Sequence, residues 1–374
     1  MCAEELEKNA NVTELVLADA RTDAPKVMAS RLKSDKISVE KVNGTDPKDL
    51  KRLLKGADLV ISSMPWQLNR NTLNVAAPLG VNYVDFSMTV DSMEDFKAMV
   101  KMCKDCGVTA ITAVGEDPGM SDVFAVHGAS KLDKATWARV MDGDSGSAEG
   151  FEFFSLWSPE DLLEETTVPA AVFRNGKMTF VPPLSEKEIY EFPEPVGPLP
   201  VYKTNHEETY LMPEFIKGLK DADFRIAIDD SFAKTVTMLR KMGMHSLNPI
   251  DVKGVKVKPL DVVVALMPRP VELAGKVKGH ACVVVEVHGE KDGKKAMAKG
   301  WVTMSHEKAY EICKSNATGY LVGLGGAIGA EMVMSGDVKQ KGLLVPEQLP
   351  ADKFIQRMKG KGLEVHEELK LGIH

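Results

Sequence analysis

The chain has 374 residues, of which 44% are hydrophobic and 27% charged, with a formal net charge of -7. This length predicts about two domains with sizeable cores, as in an ordinary soluble globular protein. Lys and Arg are scattered, which argues against nucleic acid as a partner. We also expect no membrane partner and a cytoplasmic location, because the sequence shows no apolar run of about 18 residues and begins with charged residues rather than a secretion signal.

Four short apolar runs rich in Val and Ile define the first part of the chain. They lie at residues 12–20, 57–65, 81–87 and 108–115, and stretches with helical spacing separate them. Alternation of this kind predicts a Rossmann-type doubly wound parallel sheet, so the fold class is α/β with a dinucleotide-binding domain at residues 1–125. Such sheets bind ligands beyond the carboxyl ends of their strands.

A strand-rich second part predicts an α+β domain at residues 126–330. Its clearest element is a hairpin that turns at "EKDGKK", and the Pro-dense stretch 182–200 is interpreted as a long surface connection. Residues 331–374 contain one amphipathic helix, in "ADKFIQRMKGKG", and we expect them to dock back on the first domain.

The segment "LVGLGGAIGA" at residues 321–330 resembles a phosphate-binding loop at first sight. Gly323 and Gly325 fit the pattern G-x-G-x-x-G, but Ile328 stands at the third glycine position and no strand precedes the segment. The apolar residues recur at helical spacing, so the pattern favours a closely packed core helix.

Asp19 is the candidate ligand for the adenosine ribose. It ends an apolar run, where a carboxylate can accept hydrogen bonds from ribose hydroxyls, although an ordinary strand-end acid gives the same pattern. The glycine loop normally precedes this acid by about twenty residues, but no glycine occurs before Gly44. We therefore expect the first strand and its loop to be absent from this sequence, which leaves open a fragment or a dimeric scaffold without activity.

The pair Cys103 and Cys106 has the C-x-x-C spacing of redox and metal sites. The pair closes a helix-like stretch, whereas a reactive thiol benefits from a helix N-terminus, and the remaining cysteines stand far apart. We predict no metal site.

Three segments of the first domain carry a further signal: "ADLVISSMP", "GVNYVDFSM" and, most specifically, "AVGEDPGMSDVFA". They resemble segments of the saccharopine dehydrogenase-like oxidoreductases, which include saccharopine reductase, lysine 6-dehydrogenase and carboxynorspermidine dehydrogenase. The resemblance implies reversible hydride transfer between a nicotinamide and a carbon that bears nitrogen. It also implies that the second domain binds substrate and forms a homodimer.

The resemblance assigns cofactor contacts to three loops that follow predicted parallel strands. Turn chemistry alone also explains these residues, since Asp-Pro-Gly is a good β-turn. The positions implied along the cofactor, near the nicotinamide and facing the reacting carbon are, in turn, Ser62, Ser63, Met64 and Pro65; Ser87 and Met88; and Asp117, Pro118 and Gly119.

Asp117 is the predicted catalytic proton acceptor. Amine oxidation needs an uncharged nitrogen, and a partly desolvated carboxylate can take its proton. Asp85 and His206 are the reserve candidates for this role.

Substrate choice is predicted to depend on "TNHEETY", residues 204–210. Saccharopine reductase carries an arginine at the matching place, whereas Glu207 and Glu208 stand here and favour a cationic group. This difference argues against saccharopine and for a small amino acid or polyamine-type substrate, with Arg225 or Lys203 as candidate partners of its carboxylate. Asp19 favours NAD over NADP, so lysine 6-dehydrogenase-like activity is favoured, with carboxynorspermidine or saccharopine dehydrogenase activity as the alternative.

Overall fold

The computed structural model describes residues 1–90 and 92–373 and divides the chain into two compact units. The first unit comprises Met1–Val123 and Leu321–Gly362, and the second comprises Phe124–Tyr320 and Leu363–His374. The first division therefore lies two residues before the predicted boundary at 125. The C-terminal part is shared between the units, with its amphipathic helix in the first.

Helices and strands alternate along the first 123 residues, as crossover connections between parallel strands require. In chain order they are α1 (Cys2–Lys8), β1 (Leu15–Asp19), α2 (Asp23–Leu32), β2 (Ile37–Lys41), α3 (Pro47–Leu54), β3 (Leu59–Ser62), α4 (Trp66–Ala76), β4 (Asn82–Asp85), α5 (Met93–Asp105) and β5 (Thr109–Ile111).

The next part of the chain is rich in strands. Its elements are α6 (Met120–Ser130), β6 (Lys134–Asp144), β7 (Ser147–Ala148), α7 (Pro159–Thr167), β8 (Ala170–Arg174), β9 (Lys177–Val181), β10 (Ser185–Glu191), β11 (Pro198–Lys203), α8 (Glu207–Phe215), β12 (Asp221–Ala227), α9 (Asp230–Lys241), β13 (Ile250–Val252), β14 (Val255–Val257), α10 (Pro259–Leu266), α11 (Pro270–Leu273), β15 (Val277–Lys278), β16 (His280–Lys291) and β17 (Lys294–Ser305).

The C-terminal part returns to helices with two further strands. These elements are α12 (His306–Cys313), α13 (Ala317–Met334), β18 (Gly342–Leu344), α14 (Ala351–Gly360) and β19 (Val365–Leu371).

Parallel strands form the first unit, which confirms the Rossmann-type prediction. One sheet has the order β18-β5-β4-β3, and a separate parallel pair consists of β1 and β2. In the usual strand order 3-2-1-4-5-6, β2 and β1 match positions 3 and 2, and β3, β4 and β5 match positions 4, 5 and 6. Within the described residues, no strand pairs with the free edges of β1 and β3.

A nine-stranded sheet dominates the second unit, which confirms the predicted α+β domain. Its main path is β10-β11-β12-β6-β16-β17-β19, with β8 and β9 attached beside β12. The predicted hairpin is β16 and β17, joined by Asp292 and Gly293, whose φ angles of 51° and 70° suit a tight Asp-Gly turn.

The interpretation of residues 182–200 as a surface connection is wrong. Much of this stretch is the antiparallel pair β10 and β11, which belongs to the large sheet. Tyr190 and Phe192 are buried there in a core cluster with Met141. The prolines made this stretch resemble a loop, but those in β11, Pro198 and Pro200, lie at its start, before the residues that pair with β12.

The glycine-rich segment 321–330 lies inside α13, so the prediction of a packed core helix is confirmed. Leu321, Leu324 and Ile328 are fully buried. By length and composition, α13 could also cross a membrane, and it is the helix among the described residues that meets this test. Most of it is buried inside the protein, as in the core helix of a soluble protein.

Replacing Gly325 with alanine is expected to destabilise the first unit. A Cβ atom at this position would lie 2.7 Å from the carbonyl carbon of Gly115 and 3.0 Å from its Cα. Backbone cannot move aside as a flexible side chain can, so we expect overpacking to lower the free energy of unfolding by about 1–3 kcal/mol. Thermal unfolding measures this change.

Gly360 provides the matched control, because it also lies in a helix, α14, and a Cβ there meets nothing within 4 Å. Gly360→Ala should leave the unfolding midpoint unchanged or raise it slightly. Equal midpoints for the two variants would show that the contact between Gly325 and Gly115 has no special importance.

Candidate active site

The carboxyl ends of β3 and β4 lie level with each other in the first unit, because Ser62 and Asp85 are register partners. The hydroxyl of Ser62 is buried and donates to Asn69 Oδ1 at 2.7 Å. Ser63 and Pro65 are exposed in the loop between β3 and α4, and Met64 is half-buried. This loop therefore offers short side chains and backbone where a dinucleotide lies in such a sheet.

Asp85 is fully buried at the end of β4 and accepts several hydrogen bonds. Its Oδ1 lies 2.8 Å from both the Thr112 hydroxyl and the Ala113 nitrogen, and its Oδ2 lies 2.6 Å from the Tyr83 hydroxyl. Burial raises the pKa of Asp85 from 3.8 to about 7, although hydrogen bonds from its neighbours act in the opposite direction. Asp85 thus connects the ends of β4 and β5.

The loop after β4 is tied to the loop after β5 by the same threonine. The Thr112 hydroxyl lies 3.1 Å from the carbonyl oxygen of Ser87 and accepts from the Thr89 nitrogen at 3.1 Å. Ser87 and Met88 are half-buried. Two of the three predicted cofactor loops are therefore held together by hydrogen bonds.

The loop that contains Asp117 closes on itself. The Gly115 nitrogen donates to the Pro118 carbonyl at 2.8 Å, and the Gly119 nitrogen donates to Asp122 Oδ2 at 2.8 Å. Gly119 has a φ of 136°, and a Cβ there would lie 2.7 Å from the carbonyl carbon of Gly115, so only glycine fits. Asp117 is half-buried in this fixed turn beyond β5.

Asp19 ends β1 with an exposed side chain. Its Oδ1 accepts from the Arg21 nitrogen at 2.7 Å, and its register partner on β2 is Lys41. An exposed carboxylate at this strand end is available to ribose hydroxyls.

His206 lies immediately before α8 in the second unit and is mostly buried. Its ring stacks on Phe224, with centroids 3.8 Å apart, and its Nδ1 contacts the carboxylate of Glu208. The Glu207 carboxylate lies 3.7 Å from the same nitrogen. Burial alone lowers the pKa of His206, but the nearby carboxylates outweigh burial and raise this pKa well above its usual value.

A carboxylate cluster surrounds this imidazole, and sequence analysis identified only part of it. Burial, followed by the charge of Asp144, raises the pKa of Asp142, and burial raises the pKa of Glu165 to about 7. The group has more carboxylates than cationic partners among its named members, and a cationic ligand would offset the cost of burying their charges. The cluster consists of Asp142, Asp144, Glu165, Glu207 and Glu208.

The segment "VMDGD" contains the pattern from which Asp142 and Asp144 could have been predicted. Asp142 and Asp144 stand two apart at the carboxyl end of β6, so their side chains share one face of the sheet. Glu165 lies on α7, where it accepts from the Thr204 hydroxyl at 3.0 Å, and no local pattern marks it.

Three potential metal ligands lie close together at the start of α8. Ligand atoms of His206, Glu207 and Glu208 all lie within 4.8 Å of one another. The raised pKa of His206 opposes metal binding, because a ligating imidazole must be unprotonated. Burial raises the pKa of Cys103, at the end of α5, to about 12, so its thiol is not a reactive thiolate.

Arg225 follows Phe224 on β12 and therefore points to the opposite face of the sheet. Its guanidinium donates to the Glu186 carbonyl at 2.5 Å and lies 3.7 Å from Glu188 Oε2. Lys203 is on β11 and pairs with Asp223 at 2.8 Å. The geometry gives no support to a substrate contact by either residue, because both are engaged in this second network.

Models of two protein families match almost the whole chain. The saccharopine dehydrogenase NADP binding domain matches residues 1–111, and the saccharopine dehydrogenase C-terminal domain matches residues 115–363. The chain belongs to the saccharopine dehydrogenase family. This membership confirms the resemblance and makes the chain a saccharopine dehydrogenase-like NAD(P)-dependent oxidoreductase.

Two relatives of this chain have names that refer to polyamine derivatives. Carboxynorspermidine synthase of Vibrio alginolyticus is 30% identical over 90% of this chain and 84% of its own length. Carboxyaminopropylagmatine dehydrogenase of Synechocystis is 26% identical over 95% of this chain and 91% of its own length. The lysine 6-dehydrogenase branch, which the sequence favoured, is not the branch that these relatives represent.

A solved structure shares the family fold. Saccharopine dehydrogenase (L-Glu forming) of Saccharomyces cerevisiae aligns with a TM-score of 0.76 and 18% identity over 99% of this chain and 96% of that chain. The similarity supports the assignment of both units to the fold of this family.

Proposed function

We propose that this chain catalyses nicotinamide-linked hydride transfer at the secondary amine carbon of a carboxylated polyamine, of the carboxynorspermidine type. The observation that carries the proposal is the carboxylate cluster around His206. Four carboxylates, those of Asp142, Glu165, Glu207 and Glu208, interact with a single imidazole there, and Asp144 stands beside Asp142, which suits a substrate with several ammonium groups and disfavours the dicarboxylate tail of saccharopine. The names of the relatives point to the same substrate class.

In the oxidative direction, the carbon beside the secondary amine loses a hydride to the oxidised nicotinamide and the nitrogen loses a proton. The products are a C=N bond and the reduced nicotinamide, and water then splits the imine into an aldehyde and a primary amine. We assign proton removal to Asp117, because the half-buried carboxylate stands in a fixed turn at a strand end on the ligand side of such a sheet.

NAD is the proposed cofactor, because the Asp19 carboxylate is exposed at the end of β1. A ribose 2′-phosphate would meet this negative charge, although the family model is named for NADP and Arg21 stands two residues later. The homodimer and the cytoplasmic location stay predictions.

A panel of amines tests this function with the full chain. We expect carboxynorspermidine or carboxyaminopropylagmatine to reduce NAD with a kcat/KM roughly 100-fold above that for saccharopine or lysine, a difference of about 2.7 kcal/mol. Absorbance of the reduced nicotinamide is the readout, with NAD and NADP compared in parallel. Preference for lysine would contradict the polyamine assignment. Failure to bind either cofactor would favour the alternative that the chain is a dimeric scaffold without activity.

A further inference from the structure

We propose that a cavity of about 270 Å³ in the second unit binds the free ammonium arm of the polyamine, away from its reacting carbon. The identity of the ligand rests on the proposed function, whereas its charge follows from the cavity itself. The cavity lies beyond the ends of β6 and β12, against residues 152–157 and the start of α9.

The charge of the cavity lining is entirely negative. Asp144, Glu152 and Asp229 line the cavity, and its lining includes no lysine or arginine. Asp229 caps α9, where one oxygen accepts from the nitrogens of Ser231 and Phe232 at 2.8 and 2.9 Å. In the described part of the chain, the Glu152 carboxylate has no hydrogen-bond or ion-pair partner, so this charge is available to a ligand cation.

The hydrogen bonds of Asp144 fix its carboxylate while leaving one oxygen available. Its Oδ1 accepts from the Gly146 nitrogen at 2.5 Å and lies 3.1 Å from His306 Nε2. The Ala317 nitrogen donates to His306 Nδ1 at 3.1 Å, so Nε2 carries the hydrogen and donates to Asp144. Across residues 1–90 and 92–373, Asp144 Oδ2 accepts no hydrogen bond.

Aromatic and aliphatic side chains form the other walls. Phe154, Trp157 and Phe232 line the cavity, and the Phe232 ring is held by stacking on Phe153 with centroids 4.5 Å apart. Aromatic faces attract cations, tryptophan most strongly. Ile226 and Ile228 add apolar surface that suits a methylene chain. Carboxylates combined with such walls match an alkylammonium group.

Asp144 connects this cavity to the carboxylate cluster. It lines the cavity and also interacts electrostatically with Asp142, which stands two residues earlier on the same face of β6. A ligand with ammonium groups spaced along a chain can therefore meet carboxylates at both places. At 270 Å³, the cavity is smaller than the roughly 300 Å³ of the smallest usual ligand pockets, so it suits one arm of a ligand rather than a whole ligand.

Binding of norspermidine to the full chain without cofactor, measured by calorimetry, tests the proposal. Asp144→Asn keeps an oxygen that accepts from Gly146 and His306 but removes the charge, so we expect the Kd to rise about tenfold. Asp230→Asn is the control, because Asp230 is exposed, pairs with Lys187 and does not line the cavity. Its Kd should stay within about twofold of that of the unmodified chain.

Norspermidine acetylated at both ends adds the decisive comparison. Its terminal groups are neutral amides, so Asp144→Asn should change its affinity little, and thermal unfolding should show that the variant is folded. Equal weakening by Asp144→Asn and Asp230→Asn, or equal effects on both ligands, would overturn the cavity assignment. Since this assay involves no turnover, its outcome is separate from the hydride-transfer test.

Discussion

Asp117→Asn is expected to lower kcat by about 10²–10⁴-fold while leaving cofactor affinity nearly unchanged. The asparagine side chain has almost the same shape but cannot accept the amine proton that must leave before hydride transfer. The turn itself depends on backbone hydrogen bonds of Gly115 and Gly119, which the substitution does not touch. Steady-state kinetics and cofactor titration measure the two effects separately.

Asp105→Asn is the control for loss of one carboxylate from the first unit. Asp105 is exposed at the end of α5 and pairs with Lys101. The Asp105→Asn variant should retain a normal kcat. Normal kcat in Asp117→Asn would remove Asp117 from the mechanism, and loss of cofactor affinity would show that it positions the cofactor instead.

Asp85→Ala is expected to lower the free energy of unfolding by on the order of 3 kcal/mol, because it removes the shared acceptor of three buried donors. The donors are the Tyr83 hydroxyl, the Thr112 hydroxyl and the Ala113 nitrogen. Chemical denaturation measures the loss.

Asp85→Asn separates the structural role from a catalytic one. The amide oxygen can still accept from Thr112 and Ala113, and its nitrogen can donate to the Tyr83 oxygen, so we expect most of the stability to remain. If Asp85 only positions the loops, this variant also keeps its turnover. A loss of turnover in the folded variant would support Asp85 as the proton acceptor.

The pH dependence of stability provides a second readout for Asp85. Its folded pKa of about 7 lies above the ordinary value of 3.8, so the folded state holds the proton more tightly than the unfolded state. The resulting stability is fully present below pH 3.8 and is lost as the pH rises through 7. Asp85→Asn does not titrate there, so its stability relative to the unmodified chain should improve between these pH values.

The sequence by itself determined the fold class and the family. Apolar runs alternating with helical spacing specify buried parallel strands, because both properties depend on local periodicity. The helix around Gly325 was predicted by the same reasoning, because the spacing of its apolar residues indicates a helix without knowledge of what packs against it. Turns such as the one at Asp117 could be predicted as well, because the residues that form them are consecutive in the chain.

Only the tertiary structure decided which charged residues act together. Asp142 and Glu165 are far apart in the chain, and the large sheet and α7 bring them to His206. The same strand alternation turns Arg225 to the opposite face, into an ion pair with Glu188 and a hydrogen bond to the Glu186 carbonyl on β10. Electrostatic interactions depend on distance in space and on burial, and neither is encoded in local spacing. The sequence therefore specified the fold, whereas folding assembled the carboxylate cluster around His206.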